Sequence, residues 1–127
     1  MNLQENKVIN GKQIRASNSD FSPIAELWGE VMVEKPAGDI FAVYSNYASD
    51  FTGEYDLLVG TSDWDEEKST VIEAGEYLVF TVDNTSHKGV AEVWQEIWAR
   101  DSELQRAYKT DFEWYHTNGK IEVYISI

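Results

Sequence analysis

The sequence contains no cysteine. That absence excludes a disulfide framework, a thiolate zinc site and a cysteine nucleophile, and it suits a reducing, cytoplasmic location. No apolar run approaches the ~20 residues needed to cross a bilayer as a helix. Met1 to Asn10 is polar and lacks the apolar centre of a secretory leader. Basic residues are scarce: ten stand against 23 acidic ones, for a formal net charge of −13 at pH 7. Such a surface repels phosphate backbones and attracts cations, so direct nucleic-acid binding is not expected. Histidine is limited to His87 and His116, which form no paired metal spacing. No glycine-rich phosphate loop precedes a helix. The acidic run Asp63 to Glu67 lacks the glycine and the spacing of a calcium loop. No cofactor is implied, and the expectation is a binding protein rather than an enzyme.

What is present is aromatic. Five Trp, seven Tyr and five Phe occur in 127 residues, more than one modest core needs. Ring faces carry negative electron density and attract cations. An acidic, ring-rich chain therefore suggests a site for organic cations, although each ring taken alone also suits plain core. The hydrophobic share of 43% supports a globular fold, and the length suits one domain over residues 1–127.

Apolar spacing predicts two helices. In the first, about Pro23 to Glu34, Ile24, Leu27, Trp28 and Val31 share a face. Ser22 is its expected N-cap, and Pro23 suits the first turn. In the second, about Lys88 to Arg100, the stripe is Val90, Val93, Trp94, Ile97 and Trp98, with Ser86 as the expected cap. Strands are predicted over Lys7–Ser17, Ile40–Ala48, Tyr55–Thr61, Val71–Asp83, Asp111–Thr117 and Ile121–Ile127. Asn118-Gly119 between the last two is a two-residue hairpin signal.

The order strand, helix, strand, strand occurs twice. A shift of about 66 positions lays Ile24, Leu27, Trp28 and Val31 on Val90, Val93, Trp94 and Ile97, and Asn18 on Asn84. The expected fold is α+β. A duplicated βαββ module, with pseudo-repeats at about 7–62 and 69–127, would form a mostly antiparallel sheet with two helices on one face. Ser62 to Lys68 reads as a polar joint between them.

Alternation in the last strands sorts side chains by face. Ile121, Val123, Ile125 and Ile127 share one face. In the strand before, Glu113 and Tyr115 lie side by side on the face opposite Phe112, Trp114 and His116. A carboxylate on a strand usually meets water. Inside a ring-lined cavity it would instead be costly until a positive guest neutralised it.

The ordered set Gly75-Glu76-Tyr77-Leu78-Val79-Phe80, Val93-Trp94-Gln95-Glu96-Ile97-Trp98, Asp111-Phe112-Glu113-Trp114-Tyr115 and Ile121-Glu122-Val123-Tyr124-Ile125 resembles the GyrI-like, or AraC-type, effector-binding domain. Ile24-Ala25-Glu26-Leu27-Trp28 and Phe41-Ala42-Val43-Tyr44 extend the resemblance over nearly the whole chain. It is similar to BmrR-like multidrug-binding modules and to free-standing integron gene-cassette proteins that bind cationic drugs. The resemblance implies a ligand cleft between the halves, with Glu113 of the Phe-Glu-x-Tyr motif as its acid. Tyr115, Trp94, Trp28, Tyr44, Tyr55 and Trp98 are the candidate wall residues. It implies a small organic cation as partner, beside a separate DNA-binding or other protein partner. A membrane partner is not expected. No helix-turn-helix segment is visible, so this chain alone is not expected to bind DNA. Related members also suggest two alternatives: a protein-interaction module of the gyrase-inhibitor type, and a small hydrolase using the same acid. Ser126 stands where such domains commonly carry proline.

Overall fold

The first helix forms where the stripe predicts it. Helix α1 spans Ser22–Glu34 and buries Ile24, Leu27 and Val31, with Pro23 in its first turn. Its N-cap is Phe21 rather than Ser22, and the Phe21 side chain makes no capping bond. Ser22 already lies inside, and its N–H donates to Asp20 Oδ1 at 3.0 Å. The carboxylate two residues earlier thus satisfies an otherwise orphaned helix donor. The computed structural model describes residues 2–82 and 89–127. Asn84, the expected cap Ser86, His87 and the expected helix start at Lys88 lie outside the described residues.

The strands are β1 (Asn2–Leu3), β2 (Lys7–Ser17), β3 (Ile40–Ser45), β4 (Glu54–Thr61), β5 (Lys68–Ile72), β6 (Gly75–Val82), β7 (Thr110–Tyr115) and β8 (Ile121–Ser126). Helix α2 covers Gly89–Ala99 and a short α3 covers Asp101–Leu104. All strand pairs are antiparallel, in one sheet of order β1-β6-β8-β7-β3-β4-β2-β5. The duplication is visible in that order. Strands β2, β4 and β3 on one side mirror β6, β8 and β7 on the other, and the two sets meet at the β3–β7 pair.

One expected strand proves to be two. The apolar run from Val71 to Asp83 breaks at Glu73 and Ala74. Gly75 has φ +147°, a conformation side chains disfavour. The break carries the chain from the β5 edge of the sheet to β6, which at the other end has only β1 outside it, since β5 pairs with β2 and β6 with β8. Two residues reach no further than about 10 Å. The edges therefore approach each other and the sheet curls. Residues 4–6, between β1 and β2, make a second short link of this kind.

Curling gives the sheet two different faces. The inner face packs Ile9, Phe41, Val43, Leu58, Ile72, Tyr77, Phe112 and Tyr124 against one another with no helix residue among them. The outer face carries both helices. Ala16, Ala42, Tyr55, Leu57 and Val59 pack with the buried stripe of α1, and Val82, Val123 and Ile125 pack with Trp94 and Ile97 of α2. The final hairpin turns at the expected Asn118-Gly119, but through three residues. His116 N–H bonds the Lys120 carbonyl at 2.9 Å, leaving Thr117 to Gly119 as the loop. Asn118 Oδ1 accepts the Lys120 N–H at 2.9 Å, a local bond that favours the longer turn.

Candidate functional site

Helix α1 packs on β2 and β4, and α2 packs on β6 and β8. The central strands β3 and β7 therefore lie beneath the gap between the helices. Alternation along β7 points Asp111, Glu113 and Tyr115 toward that gap. Glu113 sits opposite Ala42 on β3 and Val123 on β8, at the middle of the sheet. Above it is a cavity of about 340 Å³. All seven candidate residues line it: Glu113, Tyr115, Trp94, Trp28, Tyr44, Tyr55 and Trp98.

Glu113 is 3% exposed. Its Oε2 accepts the Tyr44 hydroxyl at 2.8 Å and the Trp94 indole N–H at 2.6 Å. Its Oε1 accepts the Tyr115 hydroxyl at 2.5 Å. Among the described residues, no Lys, Arg or His forms an ion pair with it. Burial raises its carboxyl above the ordinary range, while the bonds from Tyr115, Tyr44 and Trp94 pull the other way. Burial, reinforced by the Glu113 charge, holds the Tyr44 and Tyr115 hydroxyls well above the usual phenol range. Tyr55 is pushed up to about 12 by the same two causes. The phenols therefore stay protonated and donate.

The rings brace one another. Tyr44 meets Trp94 edge-on at 5.2 Å and lies tilted against Tyr55 at 5.3 Å. Trp28 meets Tyr115 edge-on at 5.1 Å, and Trp98 stacks on Phe51 at 6.1 Å. The internal duplication brings Trp28 of α1 and Trp94 of α2 to opposite walls of one cavity.

Several lining residues escape the sequence pattern. Tyr47 follows the end of β3, because Asn46 takes φ +51° and turns the chain. Strand alternation cannot place a residue beyond such a turn. Asn18 is held by two bonds, accepting the Tyr55 hydroxyl at 2.7 Å and donating to the Phe51 carbonyl at 2.8 Å. Phe21 and Gln95 also line the cavity, and both are exposed.

Asp111, two residues before Glu113, is buried differently. Its Oδ2 accepts Arg106 Nη2 at 2.7 Å and the Tyr47 hydroxyl at 2.6 Å. Its Oδ1 accepts the Ser126 N–H at 2.8 Å and hydroxyl at 3.1 Å. Proline in place of Ser126 could supply neither bond. One acid in this row is thus ion-paired, while Glu113 is surrounded by neutral donors.

Known proteins share this architecture. An integron cassette protein from the mobile metagenome of Vibrio cholerae superposes with a TM-score of 0.83 at 27% identity, over 96% of this chain and 90% of that one. The protein SAV2435, solved bound to tetraphenylphosphonium, has the same fold. Its TM-score is 0.73 at 17% identity, over 98% of this chain and 90% of that one. YobU of Bacillus subtilis (strain 168), named as a candidate transcriptional regulator, is 32% identical over 101 residues. That match covers 69% of this chain and 63% of YobU. No helix among the described residues is long and apolar enough to cross a membrane. Residues 4–127 match the family described as integron-associated effector binding protein, and the chain belongs to that family.

Proposed function

We propose that the cavity binds bulky aromatic or lipophilic organic cations, with Glu113 as the opposing charge and the surrounding rings as walls. The observation that carries this reading is a carboxylate 3% exposed, ringed by aromatic side chains and without a basic partner among the described residues. A buried anion without a counter-charge is costly. A cationic guest relieves that cost, and a neutral guest of the same shape does not. Each well-placed ring adds about 0.5–2 kcal/mol through cation–π attraction. The volume lies at the lower end of small-molecule sites. The complex of SAV2435 with tetraphenylphosphonium, on the same fold, supports the reading.

The test reverses the charge of the guest and keeps its shape. Tetraphenylphosphonium is expected to bind saturably in a titration of tryptophan fluorescence, and the tetraphenylborate anion is not. Comparable affinity for the two ions would refute the reading.

The binding should also depend on pH. Tetraphenylphosphonium is charged at every pH, so only the protein titrates. The Glu113 carboxyl is raised above its ordinary range. Its anion therefore disappears at a higher pH than that of an exposed glutamate. Affinity should hold at about pH 8 and fall progressively toward about pH 4 as the carboxyl takes up its proton. A constant affinity over that range would show that ionisation of Glu113 plays no part.

A further inference from the structure

We propose that the cavity selects among cations by how few hydrogen-bond donors they carry, preferring quaternary onium and other donor-free cations to primary ammonium and guanidinium groups of like size. This rests on the cation-binding reading above and narrows its ligand class.

The argument counts acceptors. A carboxylate offers about four lone-pair positions. At Glu113, Tyr44 and Trp94 occupy Oε2, and Tyr115 occupies one position on Oε1. One position remains. The donors that fill the others are held by packing, Tyr44 against Tyr55 and Trp94, and Tyr115 against Trp28. They also keep their protons, because burial and the adjacent carboxylate both oppose ionisation of the two phenols.

Asn18 and Tyr47 on the wall are engaged too. The Asn18 side-chain carbonyl takes the Tyr55 hydroxyl, and its amide donates to the Phe51 carbonyl. Tyr47 turns its hydroxyl away to Asp111. Gln95 is exposed on α2. A primary ammonium entering this space brings three N–H donors and finds one open acceptor at the charge. Its other two donors exchange water for phenol oxygens or ring faces, poorer acceptors than the carboxylate, and the cost rises with each donor left weakly paired. A quaternary centre brings none. It needs only the field of the carboxylate and the ring faces, and both are present. Glu113 thus acts mainly as a charge, with three of its about four acceptor positions already filled by neutral donors.

The test is a matched series: (anthracen-9-ylmethyl)amine, its N-methyl, N,N-dimethyl and N,N,N-trimethylammonium forms, and uncharged 9-methylanthracene. Binding is read by anthracene fluorescence near neutral pH, where all four amines are cationic. Affinity is expected to rise from the primary through the dimethyl form, as the two donors without a carboxylate position are replaced, and the quaternary form is expected to bind at least about 30-fold more tightly than the primary. Equal affinities among the four cations, or the reverse order, overturn the proposed selection. If those equal cations still exceed the neutral compound, the cation-binding reading survives alone. If the neutral compound binds as well as the cations, that reading falls with it. Tyr115→Phe supplies the second readout. It frees an acceptor position on Oε1, so the primary amine should gain relative to the quaternary ion and the 30-fold gap should narrow. A merely structural Tyr115 would weaken all members alike and leave the gap unchanged, which would also overturn the proposal.

Discussion

Glu113→Gln is expected to lower affinity for tetraphenylphosphonium by about a hundredfold while making the empty protein more stable near neutral pH. The first effect follows from charge. A unit charge pair about 5 Å apart at an effective dielectric constant of about 20 is worth about 3 kcal/mol, or about a factor of 100 in affinity. Gln fills the same space, so the ring walls remain and shape contributes as before. The second effect follows from linkage. The folded-state carboxyl of Glu113 is raised above its ordinary value. Its contribution to stability is therefore fully present below the unfolded value and is lost as pH rises through the folded value. Gln carries no ionisable group and escapes that loss. Its carbonyl can accept the Tyr44 and Trp94 bonds, and its amide can donate to a reoriented Tyr115 hydroxyl. Thermal unfolding at two pH values checks this. The advantage of the variant should be larger at about pH 8 than at about pH 4. Unchanged affinity would remove Glu113 from the site. A variant less stable at both pH values would show the carboxylate to be a structural member of the core.

The outline of this molecule was legible because its periodicities are clean. Ile24, Leu27 and Val31 repeat at helical spacing and are buried. Alternation along β7 put Glu113 and Tyr115 on one face, and the pairing of Glu113 with Val123 turns that face toward the helices. The duplication then set Trp28 and Trp94 across one gap. What stayed hidden depends on departures from period. Ile72 and Tyr77 both face the inner core at an odd separation, which one continuous strand does not allow, because Glu73 and Ala74 cross between β5 and β6. Tyr47 reaches the cavity only because Asn46 turns the chain. Asp20, rather than Ser22, satisfies the first helix donor through a bond to the backbone two residues on, which the helical stripe does not mark. The sequence also does not separate the two acids of β7. Alternation puts Asp111 and Glu113 on one face, and their difference comes from Arg106, carried there by the segment after α3.

That difference makes the other large effect opposite in sign. Asp111→Ala is expected to destabilise the protein by about 3–5 kcal/mol, the usual consequence of removing one partner from a buried ion pair. Asp111 is fully buried, and the Arg106 side chain is 1% exposed. Arg106 Nε already lacks a hydrogen-bond partner among the described residues. Without Asp111, a guanidinium would remain in the interior with its closest counter-charge gone and Asp101 at 3.4 Å as the residual one. The Tyr47 hydroxyl and the Ser126 N–H would lose their acceptor as well. Chemical denaturation should therefore show a lower midpoint at an unchanged slope. Replacing both partners with apolar residues, Asp111→Leu with Arg106→Met, should recover much of the loss, because no charge is then stranded. Two acids two residues apart on one strand thus predict opposite outcomes: loss of Asp111 exposes a buried positive charge, whereas neutralising Glu113 removes a buried negative one. A single Asp111→Ala variant within about 1 kcal/mol of the parent would mean that Arg106 finds water in the folded state and that the pair is not sealed.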